Sequence, residues 1–448
     1  MYQHRFHIMP PNGWLNDPNG SSYYRGQYHI FFQYSEDVNG GLKSWGHFIS
    51  DDLVEFNYLG IAIRPDSPRD LGGAYSGTAY IDGDNLELYY TGNVKRKGNY
   101  DYINEGREHN CLRVISDDGI NFYNKECLLT NADYPKNMSC HVRDPKIYIA
   151  NGKFYMLLGA RTKDSRAAFL LYESLDRNNW KLLRSYISSD NFGYMWECPD
   201  YFELNGYKVF SFCPQGLASQ PDRFQNIYQS GYVVSKELDL ANNQDAKLDE
   251  IITLDNFVEW DYGFDFYAPQ TFTGKNGKTY LLGWAGMPDA KYHNEPAIKE
   301  GWQHSMTLVR ELRIFNGQIY QKPVDTIEKY RHEHINSDKL DAYGLYWNLE
   351  VDIEKNECDI DFNKDLNLRY EDERLILEFL NNSGCGRGIR TVLTDKVTDL
   401  SIFMDGCLLE IYVNDGEYVF TTRYYPKTDN VAINLKKGIY RNAWEVRK

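Results

Sequence analysis

The chain has 448 residues, enough for two or three domains, and its 42 % hydrophobic content with mixed charges at 25 % excludes a disordered polymer. A formal net charge of −15 denies it the basic field that nucleic-acid binding requires. No run approaches the roughly 18 apolar residues of a membrane helix, and the N-terminal MYQHRFHIMPPNGW lacks the apolar stretch of a secretory signal, so no membrane partner and a cytoplasmic location are expected.

In chain order, one unit recurs. A turn residue followed by an aromatic-rich strand occurs as GQYHIFFQY from Gly26, DNLELYYTG from Asp84, GKFYMLLGA from Gly152, GYKVFSFCPQG from Gly206 and GKTYLLGWAG from Gly277. Each copy reads as half of a hairpin. Seven or eight residues ahead of four of these turns stands a proline: Pro18, Pro145, Pro199 and Pro269. In the second copy Ser76-Gly77 takes that place. Strand-only units about 55 to 70 residues apart are the mark of a β-propeller. The spacing predicts an all-β chain with a five-bladed β-propeller over 1–320. The charged segment DTIEKYRHEHINS is then read as a short helix or linker within 321–342. From 343 strands resume as LYWNLEVDI, RLILEFL and LSIFMDGCLLEIYVNDGEYVFTTRYY, with hairpin turns at Asp405-Gly406 and Asp415-Gly416. That pattern predicts a β-sandwich over 343–448.

The first strand of a propeller blade lines the central axis, so residues just ahead of the shared prolines should converge. They are Asn16-Asp17, Arg143-Asp144, Glu197-Cys198 and Tyr267-Ala268. Glycoside cleavage needs one carboxylate at the anomeric carbon and one protonated acid at the leaving oxygen. Crowding carboxylates raises the pKa of at least one, and Arg143 is expected to keep Asp144 ionised. Each Asp taken alone reads better as a turn cap before proline; three acids at matched places favour chemistry. Glu197 lies two places before its proline, not one. Strand alternation turns it away unless a bulge re-aims it.

No metal or cofactor is expected. The ten histidines contain no H-E-x-x-H, and no phosphate loop or G-x-S-x-G elbow is present. The eight cysteines show no paired spacing and suit reduced thiols.

At these motifs the sequence resembles glycoside hydrolase family 32, the invertases, sucrose-6-phosphate hydrolases and fructanases. NGWLNDPNG (12–20), HVRDP (141–145) and MWECPD (195–200) look like its three acid boxes. FFQY, SWGHFISDD, YSGTAY, DFYAPQTF, LLGWAG, GWQHSMTLVREL and LLEIYVNDGE extend the likeness over nearly the whole chain. The departures are Leu15 for Met, Val142 for Phe, and Tyr75-Ser76-Gly77-Thr78 for F-S-G-S. The resemblance implies a five-bladed propeller followed by a sandwich. It implies Asp17 as the nucleophile at C2 of a fructosyl unit, Glu197 as general acid and base, and Asp144, with Arg143, as transition-state stabiliser. Asn16, Gln33, Trp45, Tyr75, Ser76, Tyr267 and Trp284 would shape the sugar pocket. A retaining reaction would set the Asp17 and Glu197 carboxyl groups about 5–5.5 Å apart. The implied partner is a small sugar, sucrose or its 6-phosphate. A fructan hydrolase or fructosyltransferase is the alternative, and a non-catalytic sugar-binding propeller a third reading. A phosphate would call for cations at the pocket mouth, with Lys43, His47, His304 and Arg310 as candidates. No feature specifies an oligomeric state.

Overall fold

The computed structural model describes residues 2–189, 191–336 and 344–448. Five sheets follow one another along the chain, each built on four antiparallel strands in chain order. Their first strands are Gly13–Tyr24, Ala74–Asp82, Met138–Ala150, Met195–Leu204 and Tyr267–Thr273. Each first strand touches the next, and the fifth touches the first. The sheets are therefore blades of a closed ring, with their first strands around the axis.

The recurring turns are the hairpins between first and second strands. Arg25-Gly26, Asn151-Gly152 and Asn205-Gly206 are left-handed at both positions, the backbone of the two-residue turn that matches strand twist. The second strands carry the aromatic runs because neighbouring blades cover both of their faces. In Gln27–Ser35, Ile30 and Phe32 pack against Leu282 and Trp284 of blade five. Phe31 packs the other way, with Leu88 and Tyr90 of blade two.

The ring closes through a segment that sequence periodicity did not reveal. Trp302–Gln303, on the excursion between Thr279–Ala285 and Arg310–Phe315 of blade five, pairs in parallel with Gly13 and Trp14 of blade one.

The expected linker is largely structured. Gln318–Pro323 completes the fifth blade, Asp325–Tyr330 is a 3₁₀ segment, and Arg331–His334 pairs with Ile439–Val446. Its remainder at 337–342 lies outside the described residues. Two further sheets, of six and five strands, face each other, the larger one including Arg331–His334. Trp347, Leu349 and Ile402 from one sheet bury against Ile360, Leu368 and Leu377 from the other. Alternate residues of each strand fill this core, as the pleat requires.

Propeller and sandwich are joined by buried charge. Arg310 of blade five donates to Glu410 Oε2 at 2.7 Å and to Asp261 Oδ2 at 3.1 Å. His7 bridges Asp405 at 2.7 Å and Glu410 at 2.8 Å.

Candidate active site

The five first strands share one irregularity. Their pairing with the second strands slips between Asn16 and Pro18, Tyr75 and Gly77, Arg143 and Lys146, Glu197 and Asp200, and Tyr267 and Gln270. At the four proline copies the residue before the proline is left-handed: Asp17, Asp144, Cys198 and Ala268. Such backbone is sparsely populated for residues other than glycine and collects at functional sites. In the second blade glycine replaces proline, because a Cβ at Gly77 would collide with the carbonyl of Tyr89.

The bulge answers the phase question raised by Glu197. Each slip lets two consecutive residues face the same space. Asn16 and Asp17, Tyr75 and Ser76, Arg143 and Asp144, and Glu197 and Cys198 accordingly line one pocket at one end of the axis. Cys198, rather than Glu197, occupies the place equivalent to the two aspartates. Its backbone N–H donates to Asp144 Oδ2 at 2.9 Å, and its sulfur lies 3.7 Å from that oxygen and 4.0 Å from Asp17 Oδ2.

Each acid has its own setting. Asp17 accepts hydrogen bonds from Asn16 Nδ2 at 3.0 Å, from Gln33 Nε2 at 2.9 Å and from the Ser76 hydroxyl. Burial pushes its carboxyl up, against the pull of Ser76 and Asn16 toward the ionised form. Glu197 accepts from Arg143 Nε at 3.2 Å and Nη2 on one oxygen, and from Gln215 at 2.6 Å and Tyr267 at 2.7 Å on the other. Asp144 departs from expectation. The Arg143 guanidinium turns to Glu197 and comes no closer than 3.9 Å to Asp144, so burial prevails and raises the Asp144 carboxyl to about 7.

Most of the sugar-pocket residues named from sequence line the pocket: Asn16, Gln33, Tyr75, Ser76, Arg143, Tyr267 and Trp284. Trp45 does not. It is fully buried among Phe31, Leu88 and Tyr90, and its indole N–H donates to the Tyr75 carbonyl at 3.0 Å. It supports the wall from behind because its strand, Ser44–Ser50, is the third from the axis. Of the four cation candidates, Lys43 alone reaches the pocket. His47 is buried against Phe31 and His29. His304 is buried behind Trp14 and Trp284, and Arg310 belongs to the domain junction.

Sequence reasoning missed Trp14, Arg107, Gln215, Tyr228, Pro288 and Asp289, which complete the lining. Gln215 had a signal: like Gln33, it is a glutamine in the last three residues of a second strand. Arg107 opens the third strand of blade two, and Asp289 lies on the blade-five excursion, where the repeat is silent. Among the described residues one grouping, His4, His7 and Asp405, has the reach of a metal site. Both His7 nitrogens are already held by carboxylates there, as a structural junction requires.

The model for glycosyl hydrolases family 32 N-terminal domain matches residues 7–323, and that for the family's C-terminal domain matches 374–443. The chain belongs to glycosyl hydrolases family 32. It is a glycoside hydrolase, and its fold is the propeller and sandwich of that family. A sucrose-6-phosphate hydrolase of Staphylococcus xylosus is 35 % identical, over 97 % of this chain and 89 % of the relative. The solved structure of sucrose-6-phosphate hydrolase from Lactobacillus gasseri superposes with a TM-score of 0.86 at 32 % identity, covering 100 % of this chain and 93 % of that one. A Bombyx mori GH32 beta-fructofuranosidase follows at 0.85 and 31 %, covering 100 % and 94 %.

Proposed function

We propose that this family 32 enzyme is a retaining β-fructofuranosidase acting on sucrose-type substrates. The observation that carries this reading is the convergence of Asp17, Asp144, Glu197 and Arg143 on one pocket from three blades. Asp17 attacks C2 of the fructosyl unit while the bond from C2 to the leaving oxygen breaks and Glu197 gives that oxygen its proton. Glu197 then takes a proton from water, the water attacks C2, and Asp17 is released. Asp144, in part protonated near neutrality, holds ring hydroxyls as donor or acceptor, and Arg143 balances the charge of the acid pair. If Asp17→Ala releases fructose from sucrose at the wild-type rate, the reading is wrong.

Between sucrose and its 6-phosphate, the spare cations favour the phosphorylated sugar. Lys43 sits 4.6 Å over the Trp14 ring, and Arg107 Nε is buried without a hydrogen-bond partner. Among the described residues neither makes an ion pair. Burial pushes Lys43 down to about 8 and lowers Arg107, a cost that an anionic ligand removes. The expected result is a higher kcat/KM on sucrose 6-phosphate than on sucrose, with Arg107→Gln losing about tenfold on the phosphorylated substrate alone. Better turnover of long fructans would sink this preference. The names of the relatives support the same sugar-phosphate reading, and the eight free cysteines suit a reducing, cytoplasmic setting.

A further inference from the structure

We propose that His141 is a positioning residue for this reaction, holding the guanidinium of Arg143 on the carboxylate of Glu197. The inference rests on the reading of Glu197 as acid and base. The two ring nitrogens of His141 meet partners of opposite kind. Nε2 lies 3.0 Å from the Tyr102 carbonyl oxygen, which can only accept. Nδ1 lies 2.7 Å from Arg143 Nη1, which can only donate. Both contacts demand the same neutral tautomer, with the proton on Nε2 and the lone pair on Nδ1. An imidazolium would lose that lone pair and set a second cation against Arg143. Burial, followed by the Arg143 charge, pushes the ring down to about 2, so it stays neutral across the working range.

The consequence falls on Arg143. Its Nη1 is taken by His141, while Nε and Nη2 go to Glu197 Oε1. Without the imidazole, Nη1 has lost its acceptor and the fork is free to turn toward Asp144. The Tyr102 carbonyl in turn belongs to the loop between Asn85–Lys95 and Arg107–Ser116 of blade two. That loop is tied to blade three by the Cys140 N–H, which donates to the Ile103 carbonyl at 2.7 Å. It is pinned within itself by Asp101, whose carboxylate accepts the N–H groups of Ile103 at 2.9 Å and Asn104 at 2.8 Å. A backbone carbonyl of blade two thus orients a side chain of blade three against an acid of blade four.

The test compares His141→Ala with His141→Asn, whose Oδ1 can stand where Nδ1 stood. The alanine variant is expected to lose about tenfold or more in kcat, as misplacement of a charged group near the reacting atoms does, with a smaller change in KM. The asparagine variant is expected to recover most of that loss. Wild-type kcat in His141→Ala, or an asparagine variant no better than alanine, overturns the proposal. If the alanine variant does not fold, the asparagine variant and nitrogen NMR of the wild-type ring decide: a His141 protonated on Nδ1 also overturns it. Glu197→Gln separates the two levels. Full activity in that variant removes the reading of the site itself, whereas an inactive Glu197→Gln beside a fully active His141→Ala removes His141 alone.

Discussion

The pocket, where Asp17, Asp144 and Glu197 converge, and the junction between propeller and sandwich treat their carboxylates in opposite ways. In the junction Asp261, Asp405 and Glu410 are buried beside Arg310 and His7. Glu410 accepts from Arg310, His7 and the Tyr412 hydroxyl, and Asp405 from His7 and three backbone N–H groups. These partners outweigh burial: Glu410 is held down to about 2, and Asp405 lies well below the usual carboxylate range. Burial is the largest single influence on His7 and pulls it down, but the contacts with Asp405 and Glu410 together outweigh it and raise the ring to about 9. Asp261 is the exception, where burial carries the carboxyl to about 6 despite Arg310. In the pocket burial raises both Asp17 and Asp144, while Lys43 and Arg107 make no ion pair among the described residues. One cluster is neutralised for stability, and the other is left incomplete for a ligand. That is the usual division between paired structural ions and perturbed functional ones.

The largest expected effect that separates them is Asp17→Asn. It should lower kcat on sucrose by roughly 10,000-fold or more, while the melting temperature holds or rises because a buried carboxylate is gone. Glu410→Ala should do the reverse. Removing one partner of a buried pair costs about 3–5 kcal/mol, read as a lower denaturation midpoint.

A pH series on stability sharpens the contrast. Asp144 has a raised folded pKa, so the folded state keeps a proton that the unfolded chain releases. Its contribution is most favourable below the unfolded value near 4 and is lost as pH rises to about 7. Asp144→Asn should therefore flatten the decline in melting temperature across that window. Asp405 and Glu410 are depressed, so their contribution is present above about 4 and is lost on acidification toward about 2. His7 is raised, so its contribution is full below about 6.5 and is lost as pH climbs through about 9. Glu410→Gln should blunt the acid loss and leave the Asp144 window untouched. A wild-type acid profile in Glu410→Gln would mean that the junction does not hold this carboxylate in its ionised form.

The smallest effect should come from Trp45→Phe, which belongs to neither cluster. Loss of the hydrogen bond to the Tyr75 carbonyl should cost about 1 kcal/mol of stability, with KM for sucrose nearly unchanged.

Much of this architecture was legible because it repeats. Turn glycines at Gly26, Gly152, Gly206 and Gly277 and prolines at Pro18, Pro145, Pro199 and Pro269 are local requirements of backbone, so they show in sequence. They marked the blades and brought Asp17 and Asp144 to one end of the axis. Glu197 was harder. A bulge breaks alternation without leaving a reliable composition signal, and alternation alone turned that residue away. Trp45 misled because a motif records that a residue matters and not which side of the wall it occupies.

Local sequence thus determined the strands, the turns and the residue types at the ends of the first strands. The tertiary structure decided the rest. Ring closure by Trp302–Gln303 lies far along the chain from Gly13 and Trp14, and no periodic pattern encodes such a partner. Arg143 sits next to Asp144 in sequence, yet its guanidinium bonds Glu197 and His141. A long side chain reaches the acceptors that folding brings near it, so which acid it charges is fixed only when three blades meet.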